Sequence, residues 1–409
     1  MNIANLARYI LAAAGTSDLA KLPALAIRRR RLQSFMKRGE KRRFPHQVNP
    51  RVSFVIPVFN GAYHTLECLL SILRLADSTY EVIIVDDGCS DETVALLGRF
   101  DNIRIHRNEK NLGFLRSINA GAKLAKGQYL ILLNNDARLV EGSLNEAIDA
   151  YECEKNCGFM GVRVRHVSGG LQEAGCIIYQ DGTTNGYLRY QPEDDLRALF
   201  QRDVDYCSGV FAIVARRQFE DLGGLDEAFA PAYFEETDFC MRIRQKGLRC
   251  IYYPRLLIDH FEFGSSANAK ASRQMIEERR EKFVFRWKPI LQLQRFFPRE
   301  EMANIDQAAL RLLQRPCRLL IVDENSVKSL NSQVFAGNSG HTTIYVLGGK
   351  SKLLKLLFAK FDVRVALASG NRNQLKRFVI RRKGVYDVIE AKMEIGAEFL
   401  RNLQRTLLS

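Results

Sequence analysis

Apolar and polar positions change rhythm several times along this chain. After Pro50, short apolar runs rich in β-branched residues alternate with segments of helical spacing. The runs are VSFVIPV from Val52, EVIIVDD from Glu81, NIRIHR from Asn102 and QYLILLNND from Gln128; the helical segments cover 63–75, 92–99, 114–126 and 143–152. Runs apolar on both faces belong to strands covered on both sides, so the alternation predicts four βα units in a three-layer parallel sheet. From Gly158 to Phe263 the pattern differs: shorter strands (FMGVRV, AGCIIY, GVFAIVA, RCIYYP), glycine-rich turns and one helix over 237–246 predict a mixed sheet with long loops. A charged helix is expected over 265–286 and a linker-like stretch over 287–316. Beyond it RLLIVDE, TTIYVLGG, VRVALAS and YDVIEA alternate with helical segments, predicting a small second α/β unit. Its VLGGKS is no phosphate loop, because the first glycine of that motif would fall on Ile344.

Composition adds bounds. With 409 residues and 46% hydrophobic content, two or three domains and a large core are expected. No apolar run reaches the roughly 18 residues that a membrane span requires, and Tyr9–Ala14 is too short for an export signal, so a cytoplasmic location is expected. Nine cysteines without a C-x-x-C pair read as reduced core thiols. The formal charge of +15 is concentrated at the start: residues 1–50 hold eleven Lys or Arg against Asp18 and Glu40, a net of +9. Leu22, Leu25, Leu32, Phe35 and Met36, and before them Ile3, Leu6 and Ile10, interleave with these charges. The segment reads either as basic amphipathic helices lying on an anionic membrane surface or as a solvated tail. Nucleic acid is not an expected partner, because no recognisable module with interleaved aromatics accompanies the charge.

Carboxylates gather where the apolar runs end. Asp86 and Asp87 close the second run, and Gly88 permits a tight turn into a helix that Ser90 or Asp91 would cap. An ionised carboxylate only accepts hydrogen bonds, so it would select a base carrying N3–H, as uracil and thymine do and cytosine does not; the alternative is that both aspartates cap the helix. Asn134, Asn135 and Asp136 leave the fourth run, where their oxygens suit either a divalent cation touching a diphosphate or an Asx turn. An acidic sheet edge in a basic protein suggests a bridging metal. Further on, Gly223-Gly224-Leu225-Asp226 opens a hinged loop leading to Glu235, Glu236 and Asp238 at a helix start. Acids there either complement the helix dipole or supply a general base. His260 follows an apolar strand and reads as a structural residue or a ligand.

Together and in this order, these motifs resemble family-two glycosyltransferases of the GT-A fold over roughly residues 51–268. VSFVIPVFN is similar to the family's opening strand, VDDGCSDET to its nucleotide-binding turn, and the segment ending in LILLNND to the approach to its D-x-D metal site. SGVFAIVARRQFEDLGGLDEAF resembles the acceptor side, EETDFCMRIRQKG the E-D-x-D-L-C block and IYYPRLLIDHFEFGSS the closing element. The pattern is that of bacterial rhamnosyl- and galactofuranosyl-type transferases of surface polysaccharide synthesis. The resemblance implies an α/β fold, a GT-A type sheet with a parallel Rossmann-like half and a mixed acceptor half, followed by the small C-terminal Rossmann-like unit. The implied division is a basic segment 1–50, the GT-A domain 51–290, a linker 291–316 and the small unit 317–409, which resembles part of a GT-B-type domain and reads as a docking or stabilising module.

The same resemblance implies residue roles. Pro57, Val58, Phe59 and Asn60 would flank the pyrimidine, with Asp87 aided by Asp86 reading N3–H. Asn111, Gly113, Asn119, Asn134 and Asn135 would line the nucleotide side. Asp136 and His260 would hold Mn²⁺ or Mg²⁺, with Asn134 replacing the first acid of D-x-D. Glu236 stands where the family has its catalytic aspartate, with Glu235 and Asp238 as competing candidates. The implied activity is inverting, metal-dependent transfer from a UDP- or dTDP-sugar to a glycan or lipid-linked acceptor, with closure of the loop over 223–234 excluding water; the surface-bound reading of residues 1–50 would place it peripherally at the inner face of the membrane. Asn134 and the doubled glutamate motivate a second reading, a catalytically weak scaffold in a polysaccharide assembly. A sugar nucleotidyltransferase is disfavoured for want of a glycine-rich N-terminal phosphate loop.

Overall fold

The computed structural model describes residues 17–262 and 269–293, and beyond them 317–323, 341–348, 365–380 and 386–391 with a few isolated positions. The expected elements at Ile3–Ile10 and the glycine-serine end of the closing motif, Gly264 and Ser265, lie outside the described residues. The principal elements are α1 (Ser17–Lys37), β1 (Val52–Val58), α2 (Ala62–Leu75), β2 (Tyr80–Asp86), β3 (Arg104–Arg107), α3 (Phe114–Leu124), β4 (Tyr129–Leu133) and β5 (Ala137–Glu141). They continue with β6 (Cys157–His166), β7 (Leu171–Glu173), β8 (Phe211–Ala215), α4 (Glu235–Gln245), β9 (Arg249–His260) and α5 (Ala269–Leu291).

Every residue of β1 and β4 is buried, as their unbroken apolar runs require. In the ten-stranded sheet β9, β6, β8, β4, β1, β2 and β3 are neighbours in that order, with Arg202–Asp203 beyond β9, β5 paired to β9 and β7 paired to β6. The four strands β3-β2-β1-β4 are parallel. β8 runs antiparallel to β4 and β6, and β6 and β9 are parallel to each other. The sheet thus has the parallel half and the mixed half expected from the sequence. Between β1 and β4 the strand order reverses, and the crossover connections diverge there to leave a crevice outside the strands' carboxyl ends. Gly121 on α3 brings this helix close to the sheet, since a Cβ there would lie 2.5 Å from Val55 Cγ1.

Two expectations change. Residues 17–37 are not a detached basic segment: α1 lies on α2, Leu32 and Phe35 enter the core, and the Phe35 and Phe100 rings stack at 5.9 Å. The stretch read as a linker from residue 287 begins inside the fold, because α5 continues to Leu291 and Trp287 is buried. Asp238 of α4 is the fixed point for α5. Its carboxylate accepts from Arg242 Nε at 2.8 Å, Arg286 Nη1 at 2.9 Å and Trp287 Nε1 at 2.9 Å, and it is fully buried.

Towards the C-terminus β10 (Cys317–Val322), β11 (His341–Leu347), β12 (Val365–Gly370) and β13 (Val388–Ala391) form a separate all-parallel sheet in the order β12-β11-β10-β13. Leu319, Ile321, Tyr345 and Leu375 belong to its own core, which Phe200 of the larger unit joins. All nine cysteines are free thiols. Among the described residues no helix is long and apolar enough to cross a membrane.

Removing the Asp238 carboxylate would leave the buried Trp287 indole N–H without its acceptor and take from Arg242 and Arg286 one of the acceptors that each holds. Asp238→Ala is expected to lower the unfolding free energy by about 3–5 kcal/mol in urea titrations, the range for breaking a buried ion pair from one side.

Candidate active site

A cavity of about 740 Å³ opens at the carboxyl ends of β1 and β4. Pro57, Val58, Phe59, Asp87, Asn111, Gly113, Asn134, Asn135, Asp136, Glu235, Glu236 and His260 all line it. Asn60, Asp86, Asn119 and Asp238 are not among its walls. Each of these four makes a structural contact instead. Asn60, at φ 57°, accepts from the Ser90 and Asp91 amides. Asp86 accepts from Cys89 N at 2.8 Å and pairs with Arg107. Asn119 holds both the N–H and the C=O of Leu225. Asp238 anchors α5.

Asp87 lines the cavity but is also the organiser of its neighbouring loop. One carboxylate oxygen accepts from Asn108 Nδ2 at 2.7 Å and Leu112 N at 2.9 Å, the other from Gly113 N at 2.9 Å. Gly113 then approaches Pro231 so closely that an added Cβ would stand 2.4 Å from Pro231 Cβ and 2.7 Å from its carbonyl oxygen, at a φ of +90°.

The loop over 223–234 is not a free lid. Asn119 grips Leu225, Arg242 donates to the carbonyls of Leu222 and Gly224, and Asp226 pairs with Arg286 at 2.8 Å. Only its end, Pro231 to Phe234, reaches the cavity. Tyr233 and Phe234 hold φ of 74° and 68°, a costly conformation for bulky residues that is sustained where surrounding structure dictates it. Phe234 caps α4 and turns the chain so that the helix begins with two carboxylates at the cavity.

Those glutamates occupy different environments. Glu235 is buried, one of its oxygens lacks a hydrogen-bond partner, and burial together with the charge of Glu236 pushes its pKa well up. Glu236 is half-buried and accepts from the Gly209 amide; desolvation first, and Glu173 second, raise its pKa to about 7. Glu173 itself is a buried carboxyl whose pKa is raised by burial and which accepts from Ser208 N and Oγ. Adjacent amides thus tether two cavity carboxyls.

Asp136 Oδ1 and His260 Nε2 lie 3.0 Å apart. Burial opposes the charge of Asp136, but His260, His64 and Arg28 outweigh it and hold the carboxyl far below its ordinary range. For His260 burial is likewise overcome by Asp136, and its pKa is raised. The other ring nitrogen, Nδ1, donates to Gln172 Oε1 at 2.7 Å, which orients the imidazole with Nε2 towards Asp136. Asn134 Nδ2 is 3.3 Å from that Nε2, and its buried Oδ1 has no hydrogen-bond partner. Among the described residues no three His, Cys, Asp or Glu side chains gather as a ligand set. A carboxylate oxygen, an imidazole nitrogen and an orphaned amide oxygen on one wall do fit an open site for a hard divalent ion whose remaining positions go to phosphate and water.

Residues 53–223 match the family model described as Glycosyl transferase family 2. Over this stretch the chain is similar to family 2 glycosyltransferases. It is 26% identical over 234 residues to the O-antigen biosynthesis protein RfbC of Myxococcus xanthus, covering 54% of this chain and 18% of that protein. It is 25% identical over 250 residues to an N-acetylglucosaminyl-diphospho-decaprenol L-rhamnosyltransferase of Mycobacterium tuberculosis, covering 53% of this chain and 80% of that one. A crystal structure of GalNAc-T7 with UDP, GalNAc and Mn²⁺ aligns with a TM-score of 0.45 at 17% identity, over 60% of this chain and 52% of the other. The chain spans between 18% and 62% of the length of the first curated relatives it matches.

Gln172, Glu173, Arg189, Tyr206 and Ser208 also line the cavity. None of them signalled itself in sequence: β7 is only three residues long, and Arg189 sits in a loop whose ion pair with Glu262 at 2.7 Å exists only after folding. Gly113→Ala is expected to destabilise the protein by about 1–3 kcal/mol, because a side chain there would push Pro231 away. Gly98→Ala, whose nearest neighbour would stand at 3.6 Å, is the matched control in thermal melts.

Proposed function

We propose that the chain is an inverting glycosyltransferase that moves a sugar from a UDP- or dTDP-sugar to a hydroxyl of a glycan or lipid-linked acceptor in cell-surface polysaccharide synthesis. The observation that carries this reading is the sharing of one cavity by Asp87, the Asp136–His260 pair and Glu236. The base would sit by the ends of β1 and β2 against Pro57, Val58 and Phe59, its N3–H directed at the Asp87 side. Asp136 and His260, with the Asn134 oxygen beside them, would hold Mn²⁺ or Mg²⁺. When bound, that ion supplies positive charge to the departing diphosphate.

Glu236 is the side chain best suited to take the acceptor proton. It is open to the cavity, and a pKa near 7 makes it a base close to working pH that still binds a proton appreciably. Proton removal lets the hydroxyl oxygen attack the anomeric carbon from the face opposite the diphosphate, forming the new glycosidic bond as the old C–O bond breaks. The configuration inverts. Glu235, whose charged form burial disfavours, and Asp238, committed to α5, are poorer candidates. Pro231 to Phe234 would shield the reaction from water while the loop before them stays tied down.

Attachment to an anionic membrane would use only the outward side of α1. Lys21 and Arg28 are buried, whereas Leu22, Ile27, Arg29, Arg30 and Lys37 face outward. Co-sedimentation of the full chain with phosphatidylserine vesicles should therefore fall when Arg29, Arg30 and Lys37 are replaced by Gln together, and fall for wild type as salt rises. Salt-independent binding unaffected by these changes would exclude this attachment.

Glu236→Gln keeps size and hydrogen-bonding reach but cannot accept the proton, so transfer should fall roughly 10²-fold or more while donor binding persists. In the wild type, kcat/KM should rise with pH and level off above about 7, since the carboxylate form is the active one and its pKa is raised. Product anomeric configuration, read by NMR, should be opposite to the donor's. Full transfer by Glu236→Gln would rule out this base, and a wild type that binds nucleotide sugars without transferring or hydrolysing them would favour the scaffold reading. UDP or dTDP should also bind better than CDP.

A further inference from the structure

The buried basic face of α1 belongs to no part of the proposed reaction so far. Lys21 and Arg28 are 6% and 4% exposed, an uncommon fate for such side chains without a task. They are two turns apart on one face of the helix, and that face lies against the wall that carries Asp136 and His260.

Arg28 Nη1 stands 2.5 Å from His64 Nδ1 and 3.4 Å from the main-chain carbonyl oxygen of Asp136. A guanidinium only donates, so His64 Nδ1 accepts and its proton resides on Nε2. The same Asp136 carbonyl also accepts from Phe261 N at 3.3 Å. Lys21 Nζ donates to the carbonyl of Glu262 at 2.7 Å, just past His260, at a residue held at φ 52°. Between the two cations lies the Phe261 ring, 5.6 Å from Lys21 Nζ and 5.1 Å from the Arg28 guanidinium, with the His64 ring 4.4 Å away. Asp136 begins where the β4–β5 turn ends, and His260 ends β9. These are two separate chain segments, and α1 touches the main chain of both.

We propose that α1 is a clamp for the candidate metal corner, with Arg28 and Lys21 as positioning residues that hold the Asp136 turn and the His260–Glu262 segment in register. The proposal rests on the glycosyltransferase reading above and extends the site to a helix outside the residues matched by the family model. The clamp works through carbonyl oxygens, so it sets where the donor atoms stand without touching nucleotide or ion. A cation placed behind an acidic corner also supports the Asp136 carboxylate from the side that the substrate does not use. Neither residue lines the cavity.

The test uses the full chain and two titrations, UDP without metal and Mn²⁺ at fixed UDP, followed by calorimetry and thermal shift. Arg28→Met and Lys21→Met should each weaken the apparent Mn²⁺ affinity about 10-fold or more, the usual effect of removing support behind a ligand, while metal-free UDP binding stays within about twofold. Arg28→Lys should recover part of the loss, and Gln33→Ala, exposed on the same helix, should match wild type. Lys21→Met at the helix start decides the matter if Arg28→Met does not fold. Wild-type Mn²⁺ affinity in both Met variants overturns the clamp alone, as does an equal loss of metal-free UDP binding, which would mean a general structural role. A wild-type chain with no metal-dependent nucleotide binding overturns the glycosyltransferase reading and the clamp together.

Discussion

A buried carboxylate next to an imidazole is the contact around which this site is arranged. Asp136 and His260 sit on different strands and meet at 3.0 Å because β5 pairs with the end of β9, which sets Ala137 opposite His260. Neither charge is tolerable alone in that position, since desolvation works against both. The neighbourhood answers with Gln172 on the far side of the imidazole, Arg28 behind the aspartate and the amide of Asn134 alongside. A polar cluster of this kind is stable only when nearly every member has a partner; the exceptions are Arg28 Nη2 and the oxygen of Asn134, a residue that lines the cavity.

The second centre, at the start of α4, obeys helix geometry. Residues two apart on a helix point about 200° from each other, so Glu236 and Asp238 cannot serve the same surface. Asp238 turns to Arg286 and Trp287 and secures α5, leaving Glu236 to the cavity. The positive φ of Phe234 aims this helix end, and the Gly209 amide meets the carboxylate that results.

Much of the scaffold was legible in the sequence. Unbroken apolar strands such as VSFVIPV and YLILL leave few alternatives to a parallel sheet with helices on both sides, and a carboxylate at the end of such a strand falls at the carboxyl edge wherever the strand lies. Asp87, Asn135 and Asp136, which follow such strands, line the cavity, whereas Asp86 beside them and Asn60 and Asn119, which only the resemblance suggested, do not. Adjacent or nearby polar residues look alike in sequence, while the pleat and the turn send one to the cavity and the next to a backbone amide.

What the chain by itself determined is therefore the set of strands, their burial and the edge on which the acids emerge, all consequences of local periodicity and side-chain solvation. Only the tertiary structure decided which acids share the cavity and which lock helices together, as Glu236 and Asp238 show. It also decided that a basic N-terminal helix, whose charges read as a surface feature, turns two of them inward against Asp136 and Glu262. The physical reason is that burial of a charge depends on the partner it meets, and such partners come from elements far apart in sequence, brought together only when the sheet order and helix packing are complete.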